Sequence, residues 1–212
     1  MSIELFNIDC MEYMKDCEDN AFDLACVDPP YGIGDFSMTS PKGKEGKYKS
    51  KWKYKWNEET PCKEYFNEVK RVSKNQFIWG ANYYNCFSDD GGSVVWFKNN
   101  PHPNMSKCEI ASTTQHKKVE YININWSNTD KYNSLKGSDI HPCQKPVGLY
   151  EWILTNYAKP GQRILDTHLG SGSSAIAAHY YGVDFVGCEL DEDYFKAAQE
   201  RFDRETRQAA MF

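Results

Sequence analysis

Apolar residues in this chain fall into short runs, and polar stretches between them change the spacing from that of strands to that of helices. Runs of four to six occupy positions 3–8 (IELFNI), 22–27 (FDLACV), 76–79 (QFIW) and 93–97 (SVVWF), and they read as buried β-strands. Residues 11–17 form a helical stretch, and Thr60 and Pro61 supply an N-cap and a first helical residue for another that runs to Val72. A third helix is predicted over 147–158, with Leu149, Trp152, Ile153 and Tyr157 on one face and Lys159-Pro160-Gly161 as its breaker.

From 99 to 140 the pattern loosens. Strands are predicted at 108–113 and 119–126, followed by the polar stretch SNTDKYNSLKGSD. Regularity returns as a βαβ unit: RILDT, then HLGSG, then SSAIAAHYY stopped by Gly182, then DFVGCEL, before a last helix capped by Asp191. Strands alternating with helices at this density predict an α/β fold with a mostly parallel sheet and helices on both faces. With 212 residues and neither repeat nor linker, a single domain over 1–212 is expected.

Composition narrows the class. No apolar run approaches the length of a membrane span, and MSIELFNIDC lacks the basic-then-apolar order of a signal peptide, so a soluble cytoplasmic protein with no membrane partner is expected. The eight cysteines stand singly, without a CxxC pair, and read as reduced thiols. His141 and Cys143 come nearest to a ligand pair, but no second pair of suitable spacing accompanies them, and no metal is expected. A net charge of -5 argues against a protein that coats nucleic acid by bulk electrostatics. Residues 41–56 are the exception: PKGKEGKYKSKWKYKW sets seven lysines against one glutamate, a local +6 that leaves -11 for the remainder.

The stretch Gly170-Ser171-Gly172-Ser173-Ser174-Ala175 matches GxGxxG/A at a strand-to-helix turn, and Glu189 ends the next strand, where a carboxylate can hold ribose hydroxyls. A tight turn with no ligand would use the same glycines. Two cofactors compete for the loop. A nicotinamide dinucleotide would bring a pyrophosphate to the helix N-terminus, where Asp166, four residues before the first glycine, would repel it. S-adenosylmethionine presents an ammonium and a sulfonium, so an aspartate at that place favours it.

Asp28-Pro29-Pro30-Tyr31 follows the strand at 22–27 directly, and prolines, which lack the N–H of a sheet ladder, mark where pairing stops. The bland reading is a Pro-Pro turn with a packed tyrosine. The chemical one starts from the exocyclic amine of adenine or cytosine, a poor nucleophile because its lone pair is delocalised into the ring. Asp28 and the Pro29 carbonyl, held in direction by the Pro30 ring, can each accept one amine hydrogen and favour a pyramidal nitrogen. Tyr31 can stack on a base brought out of the duplex. Both this motif and the glycine loop end strands, and in an open α/β sheet ligands gather outside the strands' carboxyl ends.

Further strings surround these: NIDC at 7–10, DLACVDPPYG at 23–32, RVSKNQFIWGANYY at 71–84, HPCQKP at 141–146, ILDTHLGSGS at 164–173 and VGCELDEDYF at 186–195. On these the chain resembles an amino-group DNA methyltransferase of the β class, adenine-N6 type. The resemblance implies the class I S-adenosylmethionine-dependent (Rossmann-like) fold: a seven-stranded sheet in circularly permuted order, catalytic motif first and cofactor loop at 164–195. It implies Asp9 and Cys10 near the cofactor adenine, Glu189 on the ribose, and Asp166, Gly170, Ser171, Gly172 and Ser173 around the methionine end. Lys145, in HPCQKP, is implied to lie near the cofactor too. Thr167 and His168 complete the loop. The family usually reads DPFxGSGT, so His168 stands in place of an aromatic ring that packs beside the cofactor, while Ser173 keeps the hydroxyl of the usual threonine. DPPY is typical of adenine enzymes and SPPY of cytosine ones; cytosine-N4 methylation is the alternative. A nicotinamide oxidoreductase would leave DPPY unexplained, and a module that binds DNA without turnover is the third reading.

The implied partner is double-stranded DNA. In this class the target-recognition region lies between DPPY and the cofactor loop, which points to 99–140, a small region compatible with a homodimer sharing the duplex. Residues 36–60 form a basic-aromatic loop. Lys47, Lys49, Lys51, Lys53 and Lys55 alternate with Tyr48, Trp52, Tyr54 and Trp56, so an extended chain puts ammonium groups on one side and rings on the other. Such a segment is either a lysine-protected edge strand or a loop that closes on DNA, with lysines on phosphates and a ring such as Trp52 in the gap left by the extruded base. Changing the five lysines to glutamine is expected to weaken binding to every DNA sequence alike and to flatten log affinity against log salt by up to about 4 units. Fluorescence anisotropy over a salt series measures this; an unchanged slope in the folded variant would make the segment a structural edge.

Overall fold

A computed structural model of the chain describes residues 1–34, 57–99, 106–126, 140–141 and 143–207. Eight strands form one sheet: β1 (Ile3–Asn7), β2 (Leu24–Val27), β3 (Gln76–Trp79), β4 (Gly92–Phe97), β5 (Cys108–Thr113), β6 (Val119–Asn123), β7 (Arg163–Asp166) and β8 (Asp184–Glu189). Their order across the sheet is β1-β8-β7-β2-β3-β5-β4-β6. Every neighbouring pair is parallel except the two that involve β5, which runs against β3 and β4. Phe77 therefore faces Thr113 and Trp96 faces Glu109, so β5 begins at the rim where its neighbours end.

Successive strand residues point to opposite faces, and each face has its own core. Leu24, Cys26, Phe77, Trp79, Ile164 and Phe185 pack on one side with α4 (Val147–Tyr157) and α5 (Ser173–Tyr181), joined by Ala198 of α6 (Glu192–Arg207). Ala25, Val27, Ile78, Leu165, Val186 and Cys188 face the other way, onto Met14 of α1 (Cys10–Lys15) and Tyr65, Val69 and Val72 of α2 (Lys63–Val72). The central strands carry near-continuous apolar runs because both faces are covered.

The sheet is mostly parallel with helices on both sides, as expected, and has one strand more than the seven implied by the resemblance. The eight runs identified along the chain are the eight strands. Three local expectations need correction. Helix α2 starts at Lys63 with Cys62 as its N-cap and no side-chain capping bond, not at Thr60 and Pro61. Thr60 is held elsewhere: its methyl lies where a side chain on Gly32 would have to be, so the chain is pinned against the turn after DPPY. The sixth strand stops at Asn123, not Trp126: the regular ladder with β4 ends at Phe97 opposite Asn123, and beyond it the Trp126 amide donates to the Lys98 carbonyl at 2.8 Å. A four-residue helix, α3 (Ala81–Tyr84), follows β3 and had no periodic signal at that length. No helix among the described residues is long and apolar enough to cross a membrane.

Candidate active site

Asp28 stands one residue beyond β2, and Gly80 one residue beyond the parallel neighbour β3, so both occupy the carboxyl rim. Gly80 has φ +74°, and a Cβ there would lie 2.4 Å from the Tyr31 ring; only glycine lets the ring rest on this backbone. Tyr31 stacks on Tyr83 of α3 with centroids 4.7 Å apart and an interplanar angle of 16°. The next residue, Tyr84, directs its hydroxyl at the carbonyls of Pro29 (2.5 Å) and Pro30 (2.9 Å), which fixes the Pro-Pro turn from below. Asn57 holds the turn's exit: its Oδ1 accepts from the amides of Tyr31 (2.7 Å) and Gly32 (3.1 Å), and its Nδ2 donates to Gly34 O at 3.2 Å.

The electrostatics of the corner centre on Lys145. Its ammonium, with a side chain only 5% exposed, contacts Asp28 Oδ2, lies 3.0 Å from Glu109 Oε2 and donates to the Tyr31 hydroxyl at 3.1 Å. Tyr31 in turn donates to Asp28 Oδ1 at 2.7 Å. Glu109 is paired a second time, with Lys98 at 2.8 Å, just beyond β4. Burial pushes the Asp28 carboxyl up, and its one ammonium partner only partly offsets that. Burial acts on Glu109 the same way, yet Lys145 and Lys98 together outweigh it and hold that carboxyl down at about 2. Lys145 itself is raised by the two carboxylates against the opposing effect of burial.

The glycine loop leaves β7 at Asp166 and enters α5 through Gly172, its N-cap, at φ +76°. Glu189, at the end of β8, accepts from the Gly170 amide at 2.8 Å and from the Asp191 amide at 3.0 Å, so its carboxylate spans the loop and the start of α6. Fully buried Arg201 of α6 donates to Ser171 O and Ser173 Oγ, both at 2.9 Å. Ser173 Oγ then donates to the Lys145 carbonyl at 2.7 Å. Lys145 thus touches the glycine loop through its backbone and Asp28 through its side chain. Through Lys145, 117 residues from Asp28, DPPY and the glycine loop share one rim.

Asp166 accepts from Ser174 Oγ (2.6 Å) and the His168 amide (3.0 Å), and no lysine or arginine among the described residues pairs with it. Burial raises its carboxyl to about 7. A buried carboxylate with hydroxyl and amide donors but no cation suits a ligand that brings its own positive charge. His168 packs edge-on to Tyr65, its Nδ1 3.0 Å from Thr167 Oγ1, and burial lowers it to about 4, so it is a neutral ring near pH 7. Asp9 caps α1 by accepting from the amides of Met11 (2.7 Å) and Glu12 (3.3 Å). The adjacent Cys10 thiol is pushed up to about 12, first by burial and then by Asp9, which makes it inert.

The structure therefore gathers Asp28, Pro29, Pro30, Tyr31 and Lys145 in one corner, with Asp166, Thr167, His168, Gly170, Ser171, Gly172, Ser173 and Glu189 in the adjoining loop. Lys145, expected near the cofactor, joins the two: its carbonyl accepts from Ser173 of the loop, and its ammonium is engaged by Asp28 and Glu109. Lys47, Lys49, Lys51, Trp52, Lys53 and Lys55 lie outside the described residues. Within 99–140, β5 and β6 are strands of the sheet and Glu109 belongs to the Asp28 corner; 100–105 and 127–139 lie outside the described residues. Sequence reasoning missed Glu109, Lys98, Tyr84, Asn57 and Arg201. Only Tyr84 lay in a string singled out beforehand.

A DNA methylase family model of the N6/N4 type matches residues 80–200, and the chain belongs to that family. It is 24% identical to the Type II methyltransferase M2.DpnII of Streptococcus pneumoniae, over 95% of this chain and 90% of that protein. To the Type II methyltransferase M2.MboI of Moraxella bovis it is 25% identical, over 93% and 87%. Among solved structures, a complex of M1.HpyAVI with S-adenosylmethionine shares the fold at a TM-score of 0.60 and 21% identity, covering 94% of this chain and all of that one. The cytosine-N4-specific PvuII DNA methyltransferase does so at 0.65 and 12%, covering 98% and 91%.

Asn57 carries a direct prediction. Asn57→Ala leaves the amides of Tyr31 and Gly32 without their acceptor and is expected to cost about 1–3 kcal/mol of stability in urea unfolding. Asn57→Asp keeps that acceptor and should cost clearly less; equal losses would mean the amides are satisfied by other groups.

Proposed function

We propose that this DNA methylase transfers the methyl group of S-adenosylmethionine to the exocyclic N6 of adenine at specific sites in double-stranded DNA, with the base turned out of the duplex. One observation carries the reading: the acceptor corner of Asp28 and Pro29 is tied through Lys145 and Ser173 to a glycine loop whose buried Asp166 is paired with no cation among the described residues. The sulfonium cofactor supplies an electrophilic methyl group and, on its amino acid end, the ammonium that Asp166 lacks. Glu189 at the end of β8 suits ribose hydroxyls, and the small residues from Gly170 to Ser173 allow close backbone approach.

The work of the chain is done on the amine. Asp28 offers about four lone-pair positions, of which Tyr31 and Lys145 occupy two, so about two remain and one can take an amine N–H. The Pro29 carbonyl has a second lone pair beside the one Tyr84 uses. Two acceptors on the hydrogens pull the nitrogen towards a pyramid and free its lone pair for attack. The proton that the methylated nitrogen then sheds has the Asp28 carboxyl, already raised by burial, as its acceptor. Adenine is favoured over cytosine by Asp28 in DPPY where cytosine enzymes of the resembling class have serine. The likeness to the PvuII enzyme extends to the fold alone, and a fold does not choose the base. A homodimer on the duplex belongs to the same reading, resting on the small span left for target recognition, and so do the lysines of 47–55 as phosphate contacts.

Asp28→Ala is expected to bind the cofactor normally and to lose methyl transfer by at least about a hundredfold, the scale of a missing transition-state acceptor. Chromatography of nucleosides from DNA methylated by the parent chain should show N6-methyladenine. N4-methylcytosine would replace the base assignment, and near-normal turnover of the variant would sink the mechanism.

A second expectation concerns pH. With the Asp166 carboxyl at about 7, a tenth of it is ionised near pH 6 and nine tenths near pH 8, so cofactor affinity should rise about tenfold across that interval. Asp166→Asn should bind weakly with a flat profile in calorimetry. Stability supplies the control. Between the ordinary carboxyl value of 3.8 and about 7 the folded chain keeps a proton that the unfolded chain has lost, so this group's contribution to stability falls as pH rises through that window. Asp166→Asn should therefore unfold at a higher temperature than the parent at pH 8; a lower one would attribute its weak binding to a damaged loop.

A further inference from the structure

Glu109 belongs to none of the motifs that mark the family resemblance, yet its carboxylate closes the Asp28 corner. An ammonium has three N–H donors, and Lys145 has three acceptors around it: Asp28 Oδ2, Glu109 Oε2 and the Tyr31 hydroxyl. Glu109 Oε2 is also 3.1 Å from that hydroxyl, and its Oε1 takes Lys98 at 2.8 Å. Asp28, Lys145, Glu109 and Lys98 alternate in sign and sum to zero, with the lysine side chains 5% and 6% exposed. Without the charge on Glu109, two buried ammonium groups would be left for one carboxylate.

We propose that Glu109 is a positioning residue for methyl transfer: by sharing Lys145 with Asp28, it divides the ammonium's charge between two carboxylates and leaves an Asp28 oxygen able to accept the amine hydrogen. The proposal rests on the reading of Asp28 as that acceptor. A carboxylate oxygen fully engaged by one close ammonium is a weaker acceptor for a neutral N–H than one whose cation is divided between two anions.

The charged groups facing Asp28 are Lys145 from the segment before α4, Glu109 from β5 and Asp166 from the end of β7. The phenols that face it are Tyr31, Tyr65, Tyr84 and Tyr150, and the thiols are Cys26 and Cys143. Burial raises all of them, so they are neutral around pH 7. Asp166 is common to every variant below, and substitutions at Glu109 and Lys98 change only the balance on Lys145.

The test is a pH–rate profile of single-turnover methylation on duplex DNA for two variants of the full chain. In Glu109→Gln, Lys145 is left to Asp28. The acidic limb should move to lower pH by about one unit, and the plateau rate should fall about tenfold or more. In Lys98→Met, Glu109 depends on Lys145 alone and draws it from Asp28, so the limb should move to higher pH by about half a unit. Calorimetric affinity for S-adenosylmethionine should stay within about twofold of the parent in both, since neither side chain touches the glycine loop. A role confined to stability would lower the unfolding temperature and move neither limb. Unmoved limbs, or shifts of the same sign, overturn the proposal, and if Glu109→Gln fails to fold, an unmoved limb in Lys98→Met does so alone. An active Asp28→Ala would instead remove the underlying acceptor reading, whereas an inactive one with unmoved limbs removes only the role of Glu109.

Discussion

The ammonium of Lys145 is the interaction on which the site depends. A buried ammonium costs several kcal/mol unless it is paired and its donors are satisfied. Here the pairing recruits residues from three other parts of the chain. Asp28 comes from the turn after β2, Tyr31 from the same turn, Glu109 from β5, and Ser173 binds the lysine's own carbonyl. Any displacement of one of these leaves a charge or a polar group uncompensated. The corner is therefore set as a unit.

Around that unit the chain leaves one charge incomplete. Asp28 and Glu109 are matched by lysines, whereas among the described residues Asp166, at the end of the adjacent parallel strand β7, has a hydroxyl and an amide as donors and no cation. The contrast separates two kinds of carboxylate on one rim. In the proposed function, the matched pair supplies the acceptor for the amine, and the unmatched carboxylate is where a positively charged ligand group would complete the balance. Glycines serve the same division of labour: Gly80 admits the Tyr31 ring beside the acceptor, and Gly172 turns the backbone into α5 beside the unmatched carboxylate.

Topology explains which of these residues a linear reading could find. In a parallel sheet, ligands gather at the carboxyl ends of the strands, and Asp28, one residue beyond β2, and Asp166 and Glu189, the last residues of β7 and β8, all sit there. Glu109 sits at the second residue of its strand. Because β5 is antiparallel to its neighbours, its beginning lies at the rim where theirs end, and Trp96 opposite Glu109 marks the register. Nothing local in KCEIAS records that reversal. Lys98 does follow a strand, but a single lysine after an apolar run is the ordinary way an edge meets water, and only its burial against Glu109 distinguishes it.

The sequence by itself determined the eight strands, most of the helices, both rim motifs and the family, because each rests on short-range causes. Apolar periodicity reports burial, prolines stop a ladder, glycines permit positive φ, and the motifs are contiguous strings. Only the tertiary structure showed that the Lys145 ammonium pairs with Asp28 and Glu109, that Asn57 secures the DPPY turn from beyond the basic segment, and that Arg201 braces the glycine loop from the last helix. Each of those is a contact between residues 25 or more positions apart, fixed by strand order and by the cost of leaving a buried charge or amide unpaired. Local sequence carries no record of either.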